Sequence, residues 1–288
     1  MNDITGRVAS LHIHPVKSCA GIEVGQALLA ETGLDLDRAW MVVDTGGRML
    51  TQRELPRLAL VQPAFKGGEV VLRAPGMLAL HLRVDTVEAA TRAQVWDDIV
   101  KAYDMGALAA QWFSDYLGRP ARLVRFDPEE RRLSDPHWAG EIAAENAFAD
   151  GFPLLVAGAA SLAELNRRLA ERGQDAVTMA RFRPNLVLDG LPPFDEDHLA
   201  EIEIAVESEG GPVRLRLVKP CVRCSIPNVD PATGVQGQEP GATLAGFRAD
   251  ARMGGGITFG MNAVVVQGFA RALRVGQAVR GRYAFGAA

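Results

Sequence analysis

Cysteine is scarce in this chain. Cys19, Cys221 and Cys224 are the only three in 288 residues, too few and odd in number for a disulfide scaffold. In a reducing compartment they are expected to be free thiols or metal ligands. Three cysteines also cannot supply the four thiolates of an iron–sulfur cluster. Long apolar runs are missing as well, since none reaches the roughly 18–20 residues that span a bilayer, so no membrane span is expected. The N-terminus, Met1-Asn2-Asp3-Ile4-Thr5-Gly6-Arg7, lacks the basic-then-apolar pattern of a secretory signal, and the expected location is cytoplasmic. Internal repeats and low-complexity tracts are absent too.

Charge of one sign is also lacking. The net charge is −4, which gives no general reason to expect a nucleic-acid partner. Lysine is rare: of the 31 basic residues only Lys17, Lys66, Lys101 and Lys219 are lysines, and the other 27 are arginines. Genomic composition explains part of that bias. Arginine is nonetheless the side chain suited to two-pronged contacts with phosphate or carboxylate.

What the chain does have is apolar mass. At 48% apolar content it can bury a substantial core, arranged as one large or two medium domains. The first ninety-odd residues read as β-rich. Ala39–Asp44 runs into the turn Thr45-Gly46-Gly47-Arg48 and then Met49-Leu50-Thr51, a hairpin signature. Glu69–Arg73 and Leu78–Leu82 flank a second turn at Ala74-Pro75-Gly76. A helix is expected from about Gly106 to Leu117, with Leu108, Trp112, Tyr116, Phe113 and Leu117 as its apolar stripe. The acid- and Arg-rich stretch Asp127–Asp135 looks like an exposed connection. Ser161 and Glu164 have the spacing of a capping box, opening a second helix that Gly173 stops. Strands follow at Asn185–Leu188, Val213–Val218, Ala263–Gln267, Ala272–Val275 and Ala278–Tyr283. Two β-barrel-like units with a few helices fit this order better than a βαβ repeat.

Four segments could carry chemistry. The richest is Lys219-Pro220-Cys221-Val222-Arg223-Cys224-Ser225-Ile226-Pro227-Asn228-Val229-Asp230-Pro231, which leaves a strand for Gly- and Pro-rich loops, where function tends to sit. Half a zinc site is one reading, but no second pair exists. A dithiol redox centre opens a helix, which Pro227 and Pro231 oppose. A thiolate ligand for a soft transition metal is the third reading, and inert, partly buried cysteines are the plain alternative. In His14-Pro15-Val16-Lys17-Ser18-Cys19-Ala20-Gly21, a lysine and small polar residues at a strand end can hold an anion, although this is not a P-loop. His12 and His14 alternate on a strand and are read as packing residues. In Arg181-Phe182-Arg183-Pro184-Asn185, Pro184 should make Arg183 extended; solvated loop arginines are the alternative. Gly254-Gly255-Gly256 is a flexible or tight loop, or a place where backbone can approach a ligand.

Taken together and in order, these pieces resemble the MOSC-domain proteins that carry an N-terminal β-barrel domain, a group that includes the amidoxime-reducing components. The resemblance runs from about Val8 to Val279. It is most specific at Pro15–Cys19, Asp37–Trp40, Glu54–Leu58, Ser161–Asn166, Phe182–Asn185, and from Arg223-Cys224 through Val229-Asp230-Pro231 to Thr233-Gly234. It implies a mainly β fold with helices. An N-terminal β-barrel domain (residues 1–100) would be followed by a MOSC β-barrel domain (residues 101–288, with the connecting helix). A molybdenum–pyranopterin cofactor would lie in the cleft between them, in the molybdopterin form, since no nucleotide-specific motif is evident. The resemblance makes Cys224 the metal ligand and passes over Cys221. It assigns Lys17, Ser18, Arg38, Arg183, Asn185, Arg223, Asn262 and the Gly151-Phe152 backbone to cofactor binding. Lys and Arg suit a phosphate, and Asn suits the donor–acceptor edge of a pterin.

The implied activity is reduction of small N-hydroxylated compounds: hydroxylamines, amidoximes and N-hydroxylated bases. Pyridoxal phosphate is not required. Asp230 is a candidate proton source. Electrons would come from a separate partner, an iron–sulfur, cytochrome b5-like or flavin protein. A non-catalytic molybdenum-cofactor or sulfur carrier is the alternative. The chain departs from the family at Pro227 and Asn228, where relatives have two threonines, and at Met261 and Asn262, where relatives carry Gln and Tyr. These changes bear on the substrate pocket rather than on the metal site.

Overall fold

The computed structural model describes residues 3–86, 88–206 and 211–284. Met1, Asn2 and Ala288, which entered the reading of the chain ends, lie outside the described residues. The fold is mainly β, with few helices. Among the described residues no helix is long and apolar enough to cross a membrane.

The larger unit is a closed ring of seven strands. In ring order they are Leu154–Gly158, Leu186–Asp189, Ile4–Ile13, Ala278–Tyr283, Leu199–Ile204, Val213–Val222 and Gly256–Gln267, which returns to pair with Leu154–Gly158. Only the step between Leu154–Gly158 and Leu186–Asp189 is parallel. Such a step needs a crossover, and the helix Ala159–Glu171 supplies it. Alternation decides which face is inside: Val213, Leu215 and Leu217 are buried in the barrel core with Leu11, Ile202 and Val265. Gly260 holds a positive φ of 76°, and a Cβ there would lie 2.7 Å from the Val156 carbonyl oxygen. Glycine is required at that point for the two strands to meet.

The smaller unit pairs Trp40–Val43, Arg122–Phe126, Asp98–Asp104 and Ala90–Val95 in that order. Two single bridges, Arg48↔Gln94 and Val43↔Met49, carry the pairing round to its start. Met41, Val43, Val100, Phe126 and Phe148 fill its interior. Trp40 and Val42 face the other way, into a cluster with Trp112, Phe113 and Tyr116 of the helix Gly106–Leu117. A strand buried on both faces needs an unbroken apolar run, and Trp40-Met41-Val42-Val43 is one. A meander of Gln62–Lys66, Glu69–Arg73 and Leu80–Arg83 borders the same cluster through Val70, Leu72 and Leu80.

Several local expectations change. The hairpin at Thr45–Arg48 closes, with Asp44 N–H on the Arg48 carbonyl (2.9 Å) and Leu50 N–H on the Val42 carbonyl (2.8 Å), but its second arm is short, a single bridge from Met49 to Val43. Leu108 is 71% exposed, because the buried arc of its helix is centred on Trp112, Phe113 and Tyr116 and Leu108 lies beyond its edge. The helix packs by that arc into the core of Val16, Cys19, Trp40 and Leu58. The capping box does not form. The second helix begins at Ala159, and its Gly158 cap has no side-chain cap bond. The Ser161 hydroxyl meets the buried Glu196 carboxyl at 2.7 Å and accepts the Phe194 N–H instead. Asp127–Asp135 is not a solvated run throughout, since Arg132 and Ser134 are buried.

Candidate functional site: a cationic cleft with a thiol at its wall

The end of strand Ile4–Ile13 turns sharply at Lys17 and Ser18. Lys17 N–H donates to the Trp40 carbonyl (2.8 Å), and Arg38 N–H donates to the His14 carbonyl (2.8 Å), so two distant segments cross there. Three of the expected site residues, Ser18 (φ 66°), Arg38 (φ 49°) and Arg183 (φ 57°), lie in the left-handed region. That backbone is costly for residues bearing a Cβ and gathers at functional sites. Arg183 is therefore not extended, as Pro184 had suggested. Its carbonyl is held by Arg38 Nη2 at 2.9 Å and its own Nη1 donates to the Cys19 carbonyl, and these tertiary bonds outweigh the local preference before proline.

These turns meet at a cavity of about 120 Å³, lined by Lys17, Ser18, Arg38, Gly151, Phe152, Arg183, Asn185, Arg223, Cys224 and Asn262. Every residue expected to bind the cofactor reaches this one place. Thr51, Arg53, Asp150 and Cys221 join them, and none of those four was anticipated at the site. The volume is below the roughly 300 Å³ at which ligand pockets usually start, so a larger ligand would also fill the open mouth.

Among the described residues the wall carries five cations (Lys17, Arg38, Arg53, Arg183 and Arg223) against one carboxylate, Asp150. Burial, then the neighbouring Arg38, push the Arg183 pKa down to about 10, which leaves it cationic at neutral pH. Burial also lowers Lys17, with Asp150 opposing the shift. The buried Arg183 Nη2 and Arg223 Nε have no hydrogen-bond partner. Orphaned donors of this kind are costly, and here they belong to two residues that line the cleft.

Other expected residues are already engaged. Asn185 accepts from Leu155 N–H and from Arg38 Nη1 (both 3.1 Å) and donates to the His12 carbonyl (3.2 Å). Its amide ties strands together, which leaves little of it for a pterin edge. Asn262 donates to the Lys219 carbonyl at 3.2 Å. Behind Arg38 stands Asp37, which pairs with it and accepts His14 N–H at 2.6 Å. Burial alone would raise the Asp37 pKa, but Arg38 and His14 together bring it down to about 2.

The two thiols of Cys221 and Cys224 line the same cavity. Cys224 follows strand Val213–Val222 and is exposed. Its neighbour Arg223 donates to Cys221 Sγ (3.0 Å) and to the Phe182 carbonyl (2.9 Å). Asp230 does not line the cavity. Its carboxylate accepts from Ala232 N–H at 2.7 Å and from Arg181 at 3.1 Å, while Arg181 also holds the Pro227 carbonyl. Asp230 thus shapes the loop that carries Cys224. Among the described residues no three His, Cys, Asp or Glu side chains come together as a metal-binding group. A metal in this cleft would find thiols, and would have to bring most of its own ligands.

Arg132 is the contributor that sequence reasoning missed most completely. It donates to the carbonyls of Ala147 (3.0 Å), Ala149 (2.6 Å) and Asp150 (3.2 Å) and so holds the stretch that delivers Asp150, Gly151 and Phe152. Its only sequence signal was an arginine in an acidic run, which usually marks a solvated surface.

Two family models match the chain that folds into this seven-stranded barrel and smaller β unit. Residues 5–120 match the MOSC N-terminal beta barrel domain and residues 143–280 the MOSC domain. The chain belongs to the MOSC family. It is 36% identical over 254 residues to mitochondrial amidoxime-reducing component 1 of Homo sapiens, covering 84% of this chain and 72% of that one. It is 35% identical over 255 residues to mitochondrial amidoxime reducing component 2 of Rattus norvegicus, with the same coverage. It is also 30% identical over 248 residues to molybdenum cofactor sulfurase of Homo sapiens, of which it spans 27%.

Proposed function

We propose that the protein is a molybdenum-cofactor-dependent reductase of small N-hydroxylated compounds, with the Cys224 thiolate as the protein's ligand to the metal. The observation that carries this reading is the pairing, in one cleft, of an exposed thiol with guanidinium groups that each keep one buried N–H donor unpartnered. Arginine is the side chain for an anionic group such as a phosphate. The relatives named for amidoxime reduction support the substrate class.

The residues divide the work. Lys17 and Arg183 neutralise the cofactor's phosphate, and Arg38 holds Arg183 in position through its carbonyl. Arg223 supplies a further cation beside the thiols. The loop fixed by Arg132 presents the Gly151 and Phe152 backbone. Cys224 anchors the metal on the rim. When bound, the cofactor supplies a two-electron centre at which an N–OH compound takes up two electrons and two protons and leaves as amine and water. The proton-donor role expected of Asp230 is not carried forward, because its carboxylate is engaged in the loop. With three cysteines the chain holds no four-thiolate cluster of its own, and electrons are proposed to come from a separate redox protein.

The test joins metal analysis to an assay. Purified protein is expected to contain molybdenum and pterin and to reduce benzamidoxime with an artificial electron donor. Cys224→Ser is expected to lose the metal and at least about 100-fold in activity, as loss of a catalytic metal ligand should. Full activity in Cys224→Ser would end the proposal. Bound cofactor with no N-reduction by the wild type would favour a carrier role instead.

A further inference from the structure

Lys17 is nearly buried, 6% exposed, and its ammonium has two partners: the Phe148 carbonyl at 2.7 Å and Asp150 Oδ1 at 2.5 Å. The same Oδ1 accepts from Trp96 Nε1 at 3.1 Å. Trp96 itself has a left-handed backbone (φ 56°) and lies 4.3 Å beneath the guanidinium of Arg53. The Asp150 backbone is fixed by Arg132, yet its side chain is 73% exposed. This carboxylate on the cleft wall thus combines an anchored backbone with a side chain that can swing into water. It leans on a buried ammonium through a single oxygen.

We propose that Asp150 is the resident counter-anion of the cleft: its carboxylate holds the place beside Lys17 that a ligand's phosphate takes, so that binding is an exchange of anions and selects a dianionic phosphate ester over a monoanion. The inference rests on reading the cleft as an anion site, as above. The charge arithmetic gives the selectivity. A monoanion that displaces Asp150 exchanges one charge for one and gains little. A phosphate monoester brings about one further charge near neutral pH and three strong acceptor oxygens, and Arg183 on the same cavity wall supplies a further cation to balance it. The displaced carboxylate loses little, because ion pairs with an exposed partner are weak and water replaces them. Trp96 tunes the exchange by holding the carboxylate in its inward position.

Calorimetric titration tests this on the full chain made in a host that produces no molybdenum cofactor. The probes are inorganic phosphate at pH 8, mostly dianionic, and dimethyl phosphate, a monoanion. Wild type should bind phosphate and discriminate strongly against dimethyl phosphate. Asp150→Asn should bind phosphate about fivefold tighter, the scale of one partly exposed ion pair, and should accept dimethyl phosphate measurably. Trp96→Phe removes one of the two donors to the carboxylate and should shift affinity the same way by about twofold. An Asp150→Asn protein with unchanged or weaker phosphate affinity would overturn the proposal, as would absence of phosphate binding in every variant. Should Asp150→Asn fail to fold, Trp96→Phe decides. The reductase reading is judged separately, by Cys224 and metal content, and these titrations leave it untouched.

Discussion

The two sides of the cleft are built on opposite plans. On the inner side the central ion pair is well engaged: Arg38 meets Asp37, Asn185 and the Arg183 carbonyl, and Asp37 also takes the His14 backbone N–H. On the outer side Arg183 Nη2 and Arg223 Nε have no partner, and Cys224 is exposed. Satisfied networks rigidify and specify a fold, whereas orphaned donors are tolerated where a ligand will satisfy them. The same residue type, arginine, therefore closes a network at position 38 and, at position 183, holds the Cys19 carbonyl while keeping one donor unpartnered.

The largest expected effect breaks the inner side. Arg38→Ala leaves the Asp37 carboxylate, 1% exposed, without its cation, and loss of one partner from a buried pair costs about 3–5 kcal/mol. Urea unfolding should show that loss even in protein free of ligand. A loss below that of an Arg183 variant would invert the comparison.

Arg183→Met sharpens it from the other side. The substitution keeps the stem and removes a cation that burial and Arg38 already disfavour, but it also frees the Cys19 carbonyl, so unfolding stability should fall by about 1 kcal/mol, well short of the loss in Arg38→Ala. Binding should suffer instead. Loss of a charge-assisted hydrogen bond worth about 2–3 kcal/mol lowers cofactor affinity by roughly 30- to 150-fold, read as molybdenum and pterin retained on purification. A variant that unfolds readily yet keeps its cofactor would show that Arg183 is structural.

Much of this plan was legible in the sequence because the residues concerned carry their chemistry in short motifs. Lys17-Ser18, Arg183 and Arg223-Cys224 each stand at a strand end beside Gly or Pro, and the structure brings all of them to one cavity. The strands with clean alternation, such as Val213–Val222, were readable for the same local reason. What escaped depends on contacts distant in sequence. Arg132 looks solvated until the Ala147–Asp150 carbonyls fold around it. The box at Ser161 and Glu164 is a valid local pattern, but Glu196, 35 residues away, takes the hydroxyl. Asp37 sat in a recognised motif without a role, because nothing local says that its partners are Arg38 and His14. The left-handed backbone at Arg183 contradicts the preference before proline and appears only once Arg38 and Cys19 are in place.

The smallest effect separates two acid titrations on the inner side. Asp37 has a folded pKa of about 2 against an ordinary value of 3.8. A carboxylate with a depressed folded pKa stabilises the fold fully above its unfolded pKa. That contribution, about 2 kcal/mol, should vanish as pH falls from about 4 through 2. His14 titrates in a different window. Burial, with Arg38 and Arg183 nearby, keeps it neutral well below the usual 6.5, so the unfolded chain takes up a proton the folded chain refuses, and stability declines from about pH 6.5 downward. Unfolding free energies between pH 7 and 2 should therefore fall in two stages for wild type. Asp37→Asn should keep the upper stage and shrink the lower one by its own share, the rest belonging to other carboxylates with depressed pKa such as Asp104, Asp150 and Glu164, while His14→Gln should shrink the upper stage, which His12 shares. If Asp37→Asn and wild type lose stability in parallel between pH 4 and 2, Asp37 is not the carboxylate that holds Arg38, and the satisfied inner side is not what makes the cleft rigid.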